Sequence, residues 1–100
     1  MYNNGHGVVQ DFAEAARWYQ LAAAQGNSTA QSNLAGMYAT GDGIKKDYFR
    51  AHMWYNIAAI SGNENALKGR NLVAKLLTPE GVAQAQQMAR ECQQRNFKAC

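Results

Sequence analysis

Apolar residues recur at helical spacing twice in this chain, in two stretches related by one fixed shift. Phe12, Ala15, Tyr19, Ala22 and Ala23 make the first stripe, widened by Trp18; Tyr48, Ala51, Tyr55, Ala58 and Ala59 make the second, widened by Trp54. A gapless shift of 36 residues carries Asp11–Gly26, DFAEAARWYQLAAAQG, onto Asp47–Gly62, DYFRAHMWYNIAAISG. The match extends outward, with Met37 on Met1, Tyr38 on Tyr2, Gly41 on Gly5, Gly43 on Gly7 and Asn63 on Asn27. A period in this range marks a helical array in which each unit buries a face against its neighbours.

Within the first stretch Asp11 and Glu14 form a capping box that starts a helix, and Gly26 supplies the left-handed position that ends it. The second stretch has Arg50 in place of the reciprocal Glu, which predicts a slightly weaker cap. A second type of helix is predicted from about Thr29 to Ala39, opened by Ser28 with Gln31 as another capping box, its apolar face Ala30, Leu34, Met37 and Tyr38. The connector Gly41-Asp42-Gly43-Ile44-Lys45-Lys46 mirrors Gly5-His6-Gly7-Val8-Val9-Gln10, with Ile44 and Val8 turned back toward the core. From Glu64 to Leu77 a further copy of the second helix type begins and then diverges, for Arg70 stands where Leu34 stood and Leu77 replaces the loop glycine. Thr78-Pro79 is an N-cap followed by a proline at the first helical position. It opens a last helix to about Arg95 with an apolar row of Val82, Ala85, Met88, Ala89 and Cys92 and a polar face of Gln84, Gln87, Glu91 and Gln94, the form that closes an array.

The residues Ala30, Leu34, Met37-Tyr38, Gly41-x-Gly43-Ile44, Asp47, Ala51, Trp54-Tyr55, Ala58-Ala59 and Gly62-Asn63 resemble the Sel-1-like repeat, a branch of the tetratricopeptide superfamily. The resemblance covers one complete unit, Ser28 to Gly62, the second half of a preceding unit and the first half of a following one, and the ending resembles that of bacterial arrays. It implies an all-α fold, a right-handed α-α superhelix of about five helices with a C-terminal capping helix. The corresponding division is a single domain, 1–100, made of a truncated first repeat (1–27), a complete repeat (28–63), a degenerate half repeat (64–77) and the cap (78–100). Ala35 stands where the family usually has Gly, a small residue that still permits close packing. The first helix of the first unit is almost wholly missing, so either the chain is the tail of a longer array, the favoured reading, or the exposed face of Asp11–Gln25 is covered by something else, such as a second protomer in a homodimer. Cysteine-rich members of the family staple each repeat with a disulfide; this sequence lacks those cysteines, and its units are expected to hold by packing alone.

Composition narrows the function class. With 47% hydrophobic and 17% charged residues the chain is globular, and no run of eighteen apolar residues is present, so a membrane span is not expected. No signal-peptide pattern is visible at the N-terminus, and the compartment stays open between cytoplasm and periplasm. The net charge of +3 is mild and the basic residues are spread over several segments, which argues against a nucleic-acid partner. Cys92 and Cys100 read as a semi-buried thiol and a terminal thiol, with the redox compartment undecided. His6 and His52 occupy different repeat positions and read as surface or loop histidines. No metal set, cofactor loop or catalytic constellation is arguable: the Gly-x-Gly pairs follow no strand, no Gly-Lys-Ser/Thr follows them, and the acids are scattered. An enzyme is not expected, and neither is a cofactor. Trp18, Tyr19, Trp54 and Tyr55 read as core, each worth about 4–6 kcal/mol of gross burial.

What remains is the face opposite the core of the second helix type. Thr29, Ser32, Gly36 and Ala39 are small, and the next unit continues the row with Asn65, Lys68, Leu72 and Lys75. The resemblance places this row on the concave groove of the superhelix. Small side chains let a bound peptide or helix approach, and Lys68 and Lys75 meet an acidic group on it. The expected function is therefore a non-enzymatic protein-interaction scaffold or adaptor, with a structural C-terminal cap of a longer repeat protein, its partner site upstream, as the alternative.

Overall fold

A computed structural model describes residues 11–98 and Cys100. Five helices follow one another: α1 Phe12–Ala24, α2 Ser28–Thr40, α3 Tyr48–Ile60, α4 Glu64–Ala74 and α5 Pro79–Gln94. The Gly5-x-Gly7 loop, His6 and the start of the first repeat lie outside the described residues.

Each helix ends where local chemistry stops it. At Gly26 and Gly62 the chain turns left-handed (φ 91° and 95°). The last turn's carbonyls are then closed by Asn27 N–H to Ala22 and Gly26 N–H to Ala23, and by Asn63 N–H to Ala58 and Gly62 N–H to Ala59, the full Schellman pattern. The same asparagines immediately cap the following helix, Asn27 Oδ1 accepting from Ala30 N–H and Asn63 Oδ1 from Ala66 N–H, both at 2.9 Å. This corrects the expectation of Ser28 as N-cap. Gln31, freed from capping, is fully buried and donates to the Ala23 carbonyl at 3.2 Å, tying α2 to α1. Asp11, Asp47 and Thr78 cap α1, α3 and α5 as the sequence predicts. Glu14 does not return to the Asp11 amide; it accepts from Arg17 and Trp18 at 3.4 Å. Arg50, expected to weaken its cap, instead donates to the capping Asp47 carboxylate at 3.2 Å.

Contacts run α1 to α2, α2 to α3, α2 to α4, α3 to α4 and α3 to α5, so α3 is the central helix, and α2 and α4 lie side by side in one layer. The core is Ala23, Ala30, Leu34, Ala35, Met53, Trp54, Ile57, Ala89 and Cys92. Four of those nine are alanines: helices approach closely here, and dispersion at short range substitutes for thick aliphatic layers.

The two tryptophans at the same repeat position part company. Trp54 is 4% exposed and Trp18 is 63% exposed. Trp54 belongs to one buried cluster with Ala23 of α1 and Leu34 of α2, the helix pair that precedes it, and Tyr38 packs against that cluster. Trp18 has no such pair before it among the described residues, so the expectation that it is core is overturned. His52 departs in the other direction: expected on the surface, it is 2% exposed inside α3.

The cysteines form a disulfide, Cys92–Cys100, with the Cα atoms 5.6 Å apart. The reading of two separate thiols missed it because spacing along the sequence does not reveal that the chain after α5 reverses. The bond links the terminus to α5; it does not staple one repeat to the next.

Candidate functional site

The row expected to carry function is split between two adjacent helices. Thr29, Ser32, Gly36 and Ala39 are on α2, with Thr29 exposed and the other three half-buried; Asn65, Lys68 and Leu72 are on α4 and Lys75 is its C-cap, all four exposed. Each set lies on the side of its helix away from the buried residues, Ala30, Leu34 and Met37 on α2, Ala66 and Val73 on α4. The two helices touch, so the small row and the Lys/Leu row neighbour one another.

Tyr55 of α3 sits between the two layers at this point, and two glycines make its place. A Cβ on Gly36 would lie 3.3 Å from the Tyr55 hydroxyl, and one on Gly69 would lie 2.5 Å from its ring, inside any tolerable contact. The ring therefore spans from the α4 backbone at Gly69 to the α2 backbone at Gly36. Burial raises the pKa of its hydroxyl, which stays neutral and able to donate a hydrogen bond.

Charge on the α4 side is unspent. Among the described residues the ion pairs are Glu14–Arg17, Asp47–Arg50 and Glu91–Arg95, each using an arginine within its own helix turn. Among the described residues no carboxylate comes within pairing distance of Lys68 or Lys75. Arg70, where the repeat has Leu34, turns inward and donates to Asn56 Oδ1 at 2.9 Å. Burial, and then the Arg70 guanidinium, lower the pKa of His52 from its ordinary value. His52, Asn56 and Arg70 thus form a polar seam between α3 and α4, where the preceding unit has Ala16, Gln20 and Leu34.

Two recesses escaped the sequence reading. One, about 290 Å³, lies beside α2 between Phe12, Tyr19, Asn33, Gly36, Met37 and Thr40, and shares Gly36 with the candidate row. The other, about 470 Å³, is walled by Lys46, Tyr48, Phe49, Leu76, Leu77 and Thr78. Its signal was in the mismatches of the repeat: Phe49 stands at the register of Ala13, Leu76 at that of Thr40, and the connector to the next helix shortens from Gly41–Asp47 to Lys75–Thr78. Leu72 on α4 and Leu76 in the turn that follows it are 63% and 58% exposed, and Leu76 is also a wall of this recess.

Among the described residues no group of three potential metal-ligating side chains is gathered, and no helix is long and apolar enough to cross a membrane.

Comparison with known proteins agrees with this geometry. The Sel1 repeat family model matches residues 1–27 and 28–63. A protective antigen present in uropathogenic Escherichia coli strains, whose crystal structure displays an SLR fold, superposes with a TM-score of 0.82 at 31% sequence identity, over 91% of this chain. The chain spans only 21% of that protein's length. No curated protein matches the sequence.

Proposed function

The chain belongs to the Sel1 repeat family, and on that premise we propose that it is a non-enzymatic interaction module whose α2–α4 face receives an acidic peptide or helix. Repeats of this kind generally serve as scaffolds for protein interaction. The observation that carries the finer reading is the pairing of a small-residue row, Thr29, Ser32, Gly36 and Ala39, with an α4 row whose Lys68 and Lys75 have no carboxylate partner and whose Leu72 is exposed. Backbone-close approach on one side and an apolar contact between two cations on the other suit a segment with an aliphatic side chain flanked by acids. The interaction is screened by salt, since the lysines are solvent-exposed.

Replacing Lys68 and Lys75 together with Glu abolishes capture of the partner while helicity by circular dichroism is retained. Unchanged capture by that double variant rules the face out.

The apolar side of α1 supports a second reading, a unit that packs on a preceding element. Trp18 and Leu21 are 63% and 58% exposed there. A second copy or a further repeat would cover them. Light scattering on the eluting peak separates these: a dimer that Trp18→Glu dissociates favours the homodimer, and a monomer leaves the face to another partner.

A further inference from the structure

The segment after α5 leaves the layered order of the helices and folds back over them. The helix ends in a Schellman turn, Asn96 N–H bonding the Gln93 carbonyl at 3.0 Å and Phe97 N–H the Cys92 carbonyl at 2.8 Å. Asn96 and Phe97 are both left-handed, with φ 57° and 66°. Asparagine accepts that conformation readily; a bulky phenylalanine does so only when something else holds it. The reversed chain then reaches two other helices. Phe97 lies beside Gly26 at the end of α1, and the Cys100 carbonyl accepts from Arg50 Nε of α3 at 3.1 Å. Phe97 and Cys100 close one side of a recess of about 200 Å³ whose other walls include Leu34, Tyr38 and Trp54.

We propose that Arg95–Lys98 together with Cys100 form a strap latched by the Cys92–Cys100 disulfide, and that a dithiol reductant releases it and uncovers the Trp54 side of the core. The two sulfurs differ in access. Cys92 is fully buried on α5, whereas Cys100 is half-buried at the surface. The reductant thiolate therefore attacks Cys100 Sγ, forming a mixed disulfide there and expelling the Cys92 thiolate, which takes up a proton. The reductant's second thiol attacks its own sulfur in the mixed disulfide, leaves as a cyclic disulfide and frees the Cys100 thiol. Two electrons and two protons pass from the dithiol to the protein.

After that exchange little holds the strap. The Arg50 contact is exposed, Phe97 is half-buried, and its left-handed backbone favours release. The helices do not depend on it: Cys92 as a thiol remains a small apolar residue in the core. The latched form is the one that persists in an oxidising compartment, and the released form presents an apolar slot at Leu34, Tyr38 and Trp54.

The test uses the whole chain with Trp18→Phe, so that Trp54 is the sole tryptophan, and dithiothreitol as the dithiol. Oxidised protein has no titratable thiol, and dithiothreitol exposes two. Acrylamide quenching of Trp54 rises by roughly a factor of two on reduction, as a local opening without global unfolding requires, while far-ultraviolet circular dichroism is unchanged. Cys100→Ser shows the raised quenching without reductant and no response to it. Three results overturn the proposal: two free thiols in the protein purified without reductant, quenching that is the same before and after reduction, or loss of helicity on reduction, which would make the bond a staple of the whole fold.

Discussion

The sharpest test of the packing is a matched pair of truncations at one repeat position, Trp54→Ala and Trp18→Ala. A tryptophan buries about 150–250 Å² when fully enclosed. Trp54 is 4% exposed, so nearly all of that area leaves water; at about 25 cal/mol/Å² it is worth about 4–6 kcal/mol gross. The truncation therefore costs about 3–5 kcal/mol, the range found for large-to-small changes in cores. Trp18 is 63% exposed, so little more than a third of its surface is covered. Its truncation removes about 1–2 kcal/mol by the same conversion. At this chain length each kcal/mol shifts the melting temperature by about 4–8 °C. Trp54→Ala should thus lower Tm by about 12–40 °C and Trp18→Ala by about 4–16 °C. Because a domain of this size holds only about 5–15 kcal/mol in total, Trp54→Phe serves as a milder companion should the alanine variant be largely unfolded at room temperature. Thermal melts followed at 222 nm read both. Equal losses at the two positions would refute the asymmetry and, with it, the assignment of α1 as an uncovered face.

Gly69→Ala drives a Cβ to 2.5 Å from the Tyr55 ring and should destabilise by about 1–3 kcal/mol through overpacking. In a Tyr55→Ala background the same change should be neutral or stabilising, by the helix propensity gained, and a double-mutant cycle without that coupling refutes the close approach. Folding stability should also fall on acidification through His52. The folded pKa of His52 is lowered from the ordinary value of 6.5, chiefly by burial, so below that pH the unfolded chain takes up a proton that the folded chain refuses. Its contribution is complete above about pH 6.5 and is lost progressively as the pH falls toward the folded value. Tm measured between about pH 7.5 and 5.5 should drop more steeply in the wild type than in His52→Gln, and parallel curves refute it.

Periodicity alone determined the helices, their order and most of their ends. Capping residues and C′ glycines act within a few residues of themselves, so Asp11, Gly26, Asp47, Gly62 and Thr78 could be assigned without knowing the fold. The same locality made the Ser28 cap misleading, because Asn27 next to it competed for the same amides. The row from Thr29 to Lys75 was likewise legible as positions on a helix face. That Tyr55 reaches Gly36 and Gly69, joining the two halves of that row, was not, since it depends on how closely α3 approaches α2 and α4.

Burial of equivalent residues is where sequence reasoning reached its end. Repeat register makes Trp18 and Trp54 identical, yet exposure depends on whether a helix pair lies in front of each one, and that is a property of the assembled array. Arg70 looked like a break in the core until Asn56 gave it a partner and His52 an electrostatic neighbour. The Cys92–Cys100 pairing depends on a chain reversal set by the Schellman turn at Asn96 and on a landing place made by Gly26 and Arg50, which are remote in sequence and meet only in the folded molecule. Local hydrogen bonding and periodicity are written along the chain; the partners of each exposed or buried side chain are decided by long-range packing, which only the tertiary structure supplies.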